Sequence, residues 1–318
     1  MRKFRFSFNI FGISSRQEFV DECRQAEEFG YDEVFSADHL GMAAPFPVLI
    51  AAADATQRLR VGTLVVNVPF WNPALLAREI ATVDALTGGR LDVGLGAGHM
   101  KWEFDAAGIA WTPFPTRVVA LERAIGELRR YFEGNIEQPE SPWSMPRPVQ
   151  RVGFGGSGPP LLVGGTGDSV LRIAAQHAQI VGVAGAYQVK GAPPGTFRLG
   201  TAEETDAKVA YARRWAGARA DEIEWHLLTQ AVIITDDRRA AASELLADVR
   251  RDADAIGDGQ HVISVDQALE TPFLLIGTVE EIAEQLRRAR ERWGFSFITV
   301  HEPYMPTFAP VIERLRGE

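Results

Sequence analysis

Short apolar runs alternate with amphipathic stretches along the whole chain. Residues 4–10 form the first strand-like run, and residues 15–29 then carry apolar side chains at helical spacing. Ser14 or Ser15 is placed to cap this helix and Gly30 to end it. Similar pairs recur throughout. The predicted strands are 4–10, 33–36, 60–67, 91–96, 161–163, 180–183, an apolar run at 226–234 and 295–300, and the predicted helices are 15–29, 73–86, 116–132, 169–177, 202–216, 280–293 and 310–315.

This alternation of strands and helices predicts parallel strands joined by right-handed crossovers. A closed barrel and an open doubly wound sheet both bury each strand on two faces, so the pattern alone leaves both topologies open. No linker with a shift in composition interrupts the chain of 318 residues. Since α/β barrels of this length commonly fold as one unit, we expect a single domain over residues 1–318.

Two segments rich in proline and glycine, residues 134–160 and 184–201, do not fit the regular alternation. Long loops in compact domains are usually either functional or mobile. In a barrel we expect both segments to leave the carboxyl ends of the strands, where they would cover a site. Simple excursions at the surface are the alternative.

The composition restricts the class of partner. The net charge of −9 excludes broad affinity for nucleic acid, because phosphate binding needs a basic surface. No apolar run approaches the ~20 residues needed to span a bilayer, and no signal-type apolar region follows the first residues. We therefore expect a cytoplasmic protein without a membrane partner.

The single cysteine and the histidine spacing exclude further classes. Cys23 cannot form an intramolecular disulfide, and it shares an apolar helix face with Phe19 and Ala26, so we expect a buried core thiol. The six histidines show no metal-ligand spacing, so no metal site is expected. No Gly-x-Ser-x-Gly elbow is present, which argues against a hydrolase of that class.

Polar residues that follow strands are the first candidates for chemistry. Asp38 and His39 close the second predicted strand, and His99 follows the fourth within Gly94-Leu95-Gly96-Ala97-Gly98-His99. In an α/β barrel such residues point into the mouth of the site, and the glycines let the backbone approach a ligand closely. A helix-capping aspartate beside a solvated histidine is the alternative for the first pair.

A glycine-rich turn, Gly164-Gly165-Thr166-Gly167-Asp168-Ser169, joins the fifth predicted strand to a helix. Backbone N–H groups at a helix N-terminus bind anions, and the glycines leave room for a phosphate. The turn is not a Walker loop, since no Gly-Lys-Ser/Thr follows. A tight turn capped by Asp168 or Ser169 is the alternative.

Taken in order, the motifs of this chain resemble the bacterial-luciferase-like family of flavin- and deazaflavin-dependent oxidoreductases. The likeness covers nearly the whole chain and is weakest between about residues 235 and 275. The motifs that carry it are Ser36-Ala37-Asp38-His39, Leu59-Arg60-Val61-Gly62-Thr63, Asn72-Pro73-Ala74-Leu75-Leu76-Ala77-Arg78-Glu79, Leu86-Thr87-Gly88-Gly89-Arg90-Leu91, Gly94-Leu95-Gly96-Ala97-Gly98, Pro146-Arg147-Pro148-Val149-Gln150 and Pro159-Pro160-Leu161-Leu162-Val163-Gly164-Gly165.

The resemblance implies a (β/α)8 TIM barrel with insertion loops at its C-terminal face and a cofactor lying across the mouth. It further implies a phosphate near the fifth strand–helix turn, His39 beside the redox ring, and a non-proline cis peptide at Leu64–Val65 behind that ring, with Asn67 as a polar contact. The residues that it assigns to the cofactor are Asp38, His39, Leu64, Val65, Asn67, Ala97, Gly98, Gly164, Gly165, Thr166, Gly167, Asp168 and Ser169.

The chain looks more like the branch that uses coenzyme F420 than the branch that uses FMN. In the sugar-phosphate dehydrogenases of that branch a glutamate proton donor follows the fourth strand. His99 stands in its place here, a departure that argues against sugar-phosphate activity, although histidine exchanges protons readily near neutral pH. Trp71, Met100 and Trp102 are expected to make the adjoining pocket apolar, and ordinary packing at the rim is the alternative.

The function implied by the resemblance is hydride transfer between F420 and an unidentified small organic substrate. His39 and His99 are the expected catalytic residues, and the family is commonly a homodimer. An FMN-dependent monooxygenase using molecular oxygen and a non-catalytic flavin-binding protein are the alternatives.

Overall fold

The structure is a computed structural model that describes residues 2–134, 148–193, 196–255 and 262–318, without the side chains of 252–255. Eight parallel strands close into a barrel, in the order β3-β2-β1-β13-β10-β7-β6-β5, and β3 pairs with β5 to complete the ring. The predicted TIM barrel is confirmed. The strands are β1 (Arg5–Ile10), β2 (Glu33–Ser36), β3 (Arg60–Thr63), β4 (Val66–Asn67), β5 (Leu91–Gly96), β6 (Leu161–Gly165), β7 (Ile180–Val183), β8 (Ala186–Gln188), β9 (Phe197–Leu199), β10 (Glu224–Leu228), β11 (Ala231–Ile234), β12 (Leu274–Gly277) and β13 (Phe295–His301).

Helices on the outside of the barrel bury their apolar faces against the strands. The helix predicted over residues 116–132 is confirmed, and Leu121, Ile125, Leu128 and Phe132, which recur along one of its faces, are all buried. The helices are α1 (Arg16–Phe29), α2 (Pro45–Ala55), α3 (Pro73–Leu86), α4 (Lys101–Ala107), α5 (Phe114–Glu133), α6 (Asp168–His177), α7 (Ala202–Ala216), α8 (Arg238–Ala255), α9 (Val265–Glu270), α10 (Val279–Trp293) and α11 (Met305–Leu315).

The first strand shows how the barrel sorts its side chains. Successive strand residues point to opposite faces, and alternate polar residues of β1 make polar contacts with neighbouring strands. Oγ of Ser7 lies 2.6 Å from Oγ1 of Thr299, and Oδ1 of Asn9 lies 2.8 Å from Nδ1 of His301. The intervening phenylalanines are buried in the main hydrophobic core. The polar interruptions of this strand are therefore part of a barrel buried on both faces.

Ion pairs fill the amino-terminal end of the barrel. The guanidinium of Arg5 lies 2.5 Å from Glu33, 2.7 Å from Glu224 and 3.1 Å from Asp92, and Arg60 also pairs with Asp92. These residues lie at the first or second position of β1, β2, β10, β5 and β3 respectively. Their contacts link five of the eight barrel strands at the end opposite the carboxyl-terminal mouth.

The described part of the segment 134–160 lies at the opposite end of the barrel from the one expected. Its described part hydrogen-bonds there, since Gln150 bonds to Asp84, to the carbonyl of Leu91 at the start of β5, and to Arg60. A loop between a helix and the next strand returns to the amino-terminal face of a barrel. The expectation of a lid from this segment was therefore wrong, and residues 135–147 lie outside the described part.

The segment 184–201 does leave the carboxyl end of a strand, as expected. It follows β7, and within it β8 and β9 pair as an antiparallel hairpin beside the barrel.

Several elements differ from the sequence prediction. The run at 60–67 is two strands separated by a cis peptide bond between Leu64 and Val65, the bond that the resemblance implied. The apolar run at 226–234 is also divided, because β11 leaves the barrel and pairs with β12. The elements that the pattern did not predict are α2, α4, α8, α9, β8, β9 and β12.

The cysteine lies in the core, as predicted. Cys23 of α1 is fully buried beside Phe19 and Ala26, and burial raises the pKa of its thiol to about 12. Within the described residues, no helix combines the length and apolar character that a bilayer crossing requires.

Candidate active site

The carboxyl ends of the barrel strands bring the two predicted catalytic histidines together. His39 follows β2 and His99 follows β5, and their ring centroids lie 5.5 Å apart with the planes nearly perpendicular, at 89°. Parallel strands end at the same face of a barrel, which is why two residues sixty positions apart meet. The structure thus places both imidazoles in one mouth.

His39 is held by a carboxylate that the sequence analysis did not single out. Nδ1 of His39 lies 2.7 Å from Oε1 of Glu103, and the backbone N–H of Leu40 donates to the same oxygen at 3.2 Å. The Glu103 side chain is only 1% exposed, and its second oxygen, Oε2, has no hydrogen-bond partner. Glu103 lies in the short helix α4, four residues after His99, and that spacing was the available signal.

His99 lies between His39 and the hairpin of β8 and β9. Its ring centroid is 5.6 Å from that of Phe197 in β9, and the residue is exposed to solvent at the mouth. Protein atoms around the ring displace part of its hydration, and this desolvation lowers the pKa of His99. The positive charges of the nearby His39 and Arg117 lower the pKa further. His99 is therefore neutral near pH 7 and presents one ring N–H and one bare nitrogen.

The segment that holds the cis peptide bond joins these two strand ends. Leu64 and Val65 pack over the apolar layer inside the barrel. The carboxylate of Asp38 accepts hydrogen bonds from the backbone N–H of Asn67, at 3.1 Å, and from Nε1 of Trp71, at 2.8 Å. The carboxylate of Asp38 therefore holds this segment in position.

Asn67 and Gly98 lie side by side at the ends of the neighbouring strands β4 and β5. Oδ1 of Asn67 is buried without a hydrogen-bond partner. Gly98 has a positive φ of 76°, and a Cβ there would lie 2.6 Å from that same oxygen. Only glycine fits this position comfortably, because other residues are both strained and too large. Ala97, the preceding residue, is buried.

The glycine-rich turn after β6 is accessible. Gly164, Gly165, Thr166 and Gly167 are partly exposed and Ser169 is exposed. Gly167 is the N-cap of α6 and no side chain caps this helix. Asp168 does not cap it either, since its carboxylate accepts a hydrogen bond from Lys208 at 2.7 Å. The first N–H groups of α6 are therefore open to a ligand.

Arg117 is a second residue that the sequence analysis missed. It is 4% exposed, its guanidinium stacks 3.7 Å from the ring centroid of Trp111, and Nε has no hydrogen-bond partner. No described carboxylate lies within ion-pair distance of it. Its neighbour in α5, Phe114, would lie 3.6 Å from a Cβ at Gly167. A buried cation without a counterion thus lies near both the α6 turn and His99.

Two tryptophans expected at the pocket, and two further histidines, lie at different places in the barrel. Trp71 packs on Phe46 and is fixed through Asp38, whereas Trp102 is 54% exposed on α4. His301 ends β13 at the mouth and bonds to Asn9. His177 lies at the end of α6, away from the mouth, near Arg129 and Glu122. In the described part of the chain, no group of three or more candidate ligand residues could hold a metal ion.

Comparison with known proteins gives a consistent result over most of the chain. Residues 11–296 match the model of the family described as luciferase-like monooxygenase. An F420-dependent glucose-6-phosphate dehydrogenase of Intrasporangium calvum is 32% identical over 50% of this chain, and the match spans about half of that relative's length, 51%. The enzyme of the same name from Nakamurella multipartita is 28% identical over 74% of this chain and 69% of its own length.

A solved structure supports the fold independently. The coenzyme F420 dependent tetrahydromethanopterin reductase of Methanopyrus kandleri superposes with a TM-score of 0.70 at 19% identity, covering 98% of this chain and 97% of its own. At that identity the likeness concerns the barrel alone. Together with the family match over residues 11–296, it leads to one conclusion: the chain belongs to the luciferase-like monooxygenase family.

Proposed function

We propose that this protein is an oxidoreductase that transfers a hydride between coenzyme F420 and a small organic substrate. The observation that carries the proposal is the arrangement of the mouth. Two adjacent imidazoles, an unpartnered amide oxygen and an uncapped helix N-terminus all lie at the carboxyl ends of the strands. The F420-dependent relatives named above support the choice of cofactor.

The α6 end of the mouth fits the phosphate of the cofactor. The glycines of the turn leave backbone N–H groups accessible, and a helix N-terminus favours negative charge. Arg117 adds a buried guanidinium with one unpartnered N–H, a group that binds phosphate oxygens well. We therefore assign Gly164 to Ser169 and Arg117 to the phosphate.

The other end of the mouth fits a redox ring. The cis peptide segment supplies a surface made by Leu64 and Val65, and Oδ1 of Asn67 lacks the donor that a ring N–H would provide. Ala97 and Gly98 keep the facing backbone free of bulky side chains. When bound, F420 supplies the hydride-exchanging carbon, and the barrel residues orient it and exclude water.

The two histidines account for proton handling. A substrate that gains or loses a hydride at carbon also gains or loses a proton, for example at oxygen. His39 and His99 are placed to hold that proton, and Phe197 limits access of water to His99 from the side of the hairpin. We assign proton exchange to these imidazoles.

FMN-dependent oxygenation is a second candidate, and the family description favours it. The residues assigned to phosphate and ring would hold FMN as well as F420, because the two cofactors share a ribityl phosphate chain. The choice between them rests on cofactor binding.

A titration of the purified protein with F420 and with FMN, by calorimetry, tests the proposal. We expect saturable binding of F420, and we expect Arg117→Met to raise its Kd by roughly tenfold to a hundredfold, since a hydrogen bond to a charged group contributes about 1.5–3 kcal/mol. Arg172→Met is the matched control, because this arginine of α6 bonds to Glu122 and Gln176 instead. Its Kd should be unchanged.

Each other outcome of the titration has a defined meaning. Binding of FMN without F420 would replace the first function by the second, and binding of neither would overturn both. If the cofactor binds but exchanges no hydride with any substrate of a broad panel, the alternative of a non-catalytic flavin-binding protein would apply.

We also propose a homodimer. Leu75 and Leu86 of α3 are 49% and 61% exposed, and an exterior helix with such residues suits a subunit contact. Light scattering on the eluting protein measures the mass directly, and a monomer would contradict the proposal.

A further inference from the structure

The contact between His39 and Glu103 limits which nitrogen of the imidazole carries the hydrogen. A carboxylate oxygen accepts hydrogen bonds and cannot donate them. Oε1 of Glu103 already accepts from the backbone N–H of Leu40 at 3.2 Å. Nδ1 of His39 lies 2.7 Å from the same oxygen, so a hydrogen on Nδ1 must lie between them.

This assignment leaves the other ring nitrogen bare. Nε2 of His39 has no hydrogen bond to any described residue, and the His39 side chain is 31% exposed. An imidazole with the hydrogen on Nδ1 offers the lone pair of Nε2 as an acceptor. The free neutral side chain prefers the opposite tautomer, with the hydrogen on Nε2. The fold therefore selects the less common form.

We infer that Glu103 is a positioning residue that holds His39 as the Nδ1–H tautomer, with Nε2 free to take a proton at the mouth. This rests on the proposed function only for its catalytic consequence. Glu103 does not need to contact substrate or cofactor, since it acts through His39. Partners of this kind fix both the tautomer and the ring orientation of a functional histidine.

The surroundings of the pair agree with this role. The charged and titratable groups that face His39 are Glu103 from α4 and His99 after β5, with Asp38 beside it in the chain and Arg117 of α5 beyond His99. The carboxylate of Asp38 is occupied by Asn67 and Trp71. Glu103 is thus the carboxylate among these groups that bonds to His39.

Nitrogen-15 NMR of histidine-labelled full-length protein, without added cofactor, tests the inference. The signals of His39 are identified by their loss in a His39→Gln variant. At a pH where His39 is neutral, we expect the hydrogen on Nδ1 in the wild type. Glu103→Leu removes the acceptor and should move the hydrogen largely to Nε2, whereas Glu103→Gln keeps an acceptor oxygen and should retain the wild-type tautomer.

Glu122→Gln is the matched control, because Glu122 faces His177 at 3.9 Å and not His39. It should leave the His39 signals unchanged. In turnover assays, Glu103→Leu should lower kcat about tenfold to a hundredfold, with KM for the cofactor nearly unchanged, and Glu103→Gln should recover most of the loss.

Two results would overturn the inference. One is a wild-type His39 with its hydrogen on Nε2, and the other is an unchanged tautomer in Glu103→Leu. If Glu103→Leu does not fold, the wild-type spectrum alone still decides between the tautomers. The NMR measurement needs no cofactor, so a failure of F420 to bind would count against the proposed function and not against this pair.

Discussion

The neutral imidazole inside the barrel makes the stability of this protein depend on pH. His226 is buried, with Nε2 2.6 Å from Oγ1 of Thr299 and its ring 5.1 Å from that of Phe297. Burial, assisted by the charge of Arg5, lowers the pKa of His226 to about 3 from an ordinary 6.5. Below pH 6.5 the unfolded chain therefore binds one proton more than the folded protein, and the free energy of unfolding decreases as the pH falls.

The size of this effect follows from the shift. One pKa unit corresponds to about 1.4 kcal/mol, so acidification from about pH 7.5 to about pH 4.5 removes about 3 kcal/mol through His226 alone. His226→Asn removes the titrating ring. We expect this variant to be less stable than the wild type near neutral pH, because it loses packing, and we expect its deficit to shrink by about 3 kcal/mol on acidification to about pH 4.5.

Urea denaturation at intervals between about pH 7.5 and about pH 4.5 measures this difference. Comparing the two proteins at each pH cancels the carboxylates that titrate in both. His177→Asn is the control, since His177 is partly exposed at a helix end and its replacement should change the pH dependence far less. A deficit of His226→Asn that stays constant over the whole range would show that the folded protein accepts a proton at His226, and the reasoning from burial would fail.

Three further predictions concern the ion cluster, the glycine at the mouth and the second histidine. Arg5→Leu should lower the free energy of unfolding in urea by about 3–5 kcal/mol, because it leaves buried carboxylates without a partner. Arg239→Leu breaks an exposed pair with Asp266 and should lower it by less than about 1 kcal/mol. Equal losses in the two variants would contradict this prediction. Gly98→Ala should weaken F420 binding at least about tenfold, given the 2.6 Å approach to Asn67, and Gly108→Ala, strained at a φ of 67° but with open space around it, should not. His99→Ala should lower the rate of the chemical step by about 10²–10⁴ with little change in cofactor affinity, and unchanged turnover would remove His99 from the mechanism.

The sequence predicts best where local chemistry decides the structure. Ser15 caps α1 and Gly30 ends it in a left-handed conformation, as the pattern indicated, and α3 begins at Pro73. A hydroxyl that caps free N–H groups and a glycine that adopts positive φ act within a few residues. No knowledge of the rest of the chain is needed for such signals.

The prediction fails where the rest of the chain decides. Residues 45–55 are apolar nearly throughout, so α2 carries no helical period and was missed. The run at 226–234 reads as one strand because it is apolar, but Thr229 bonds to Thr299 while Gln230 bonds to Phe273. The chain changes partner strand between two neighbouring residues. The hydrophobic pattern of the sequence does not indicate this change of partner strand.

Within the candidate site, too, some residues could be predicted from local sequence and others only from the complete fold. The sequence order placed His39 and His99 at strand ends, and their meeting follows from the parallel barrel. Glu103 and Arg117 were missed because a charged residue in a helix is ordinarily exposed, and only the fold shows that these two are buried. The expectation for the segment 134–160 was wrong over its described part, because the segment connects a helix to the next strand. A loop from helix to strand belongs to the amino-terminal face.

The cluster of Arg5, Glu33, Asp92, Glu224 and Arg60 has a kinetic consequence. Since these bonded charges lie at the amino-terminal end of the barrel, the mouth beside His39 and His99 is the side from which a ligand would enter. A cofactor across that entrance would lie beneath any substrate that stacks on it. If the proposed cofactor lies across that entrance, arrival and departure would follow a compulsory order, with cofactor first in and last out, and an excess of substrate would slow cofactor exchange by obstructing the shared route.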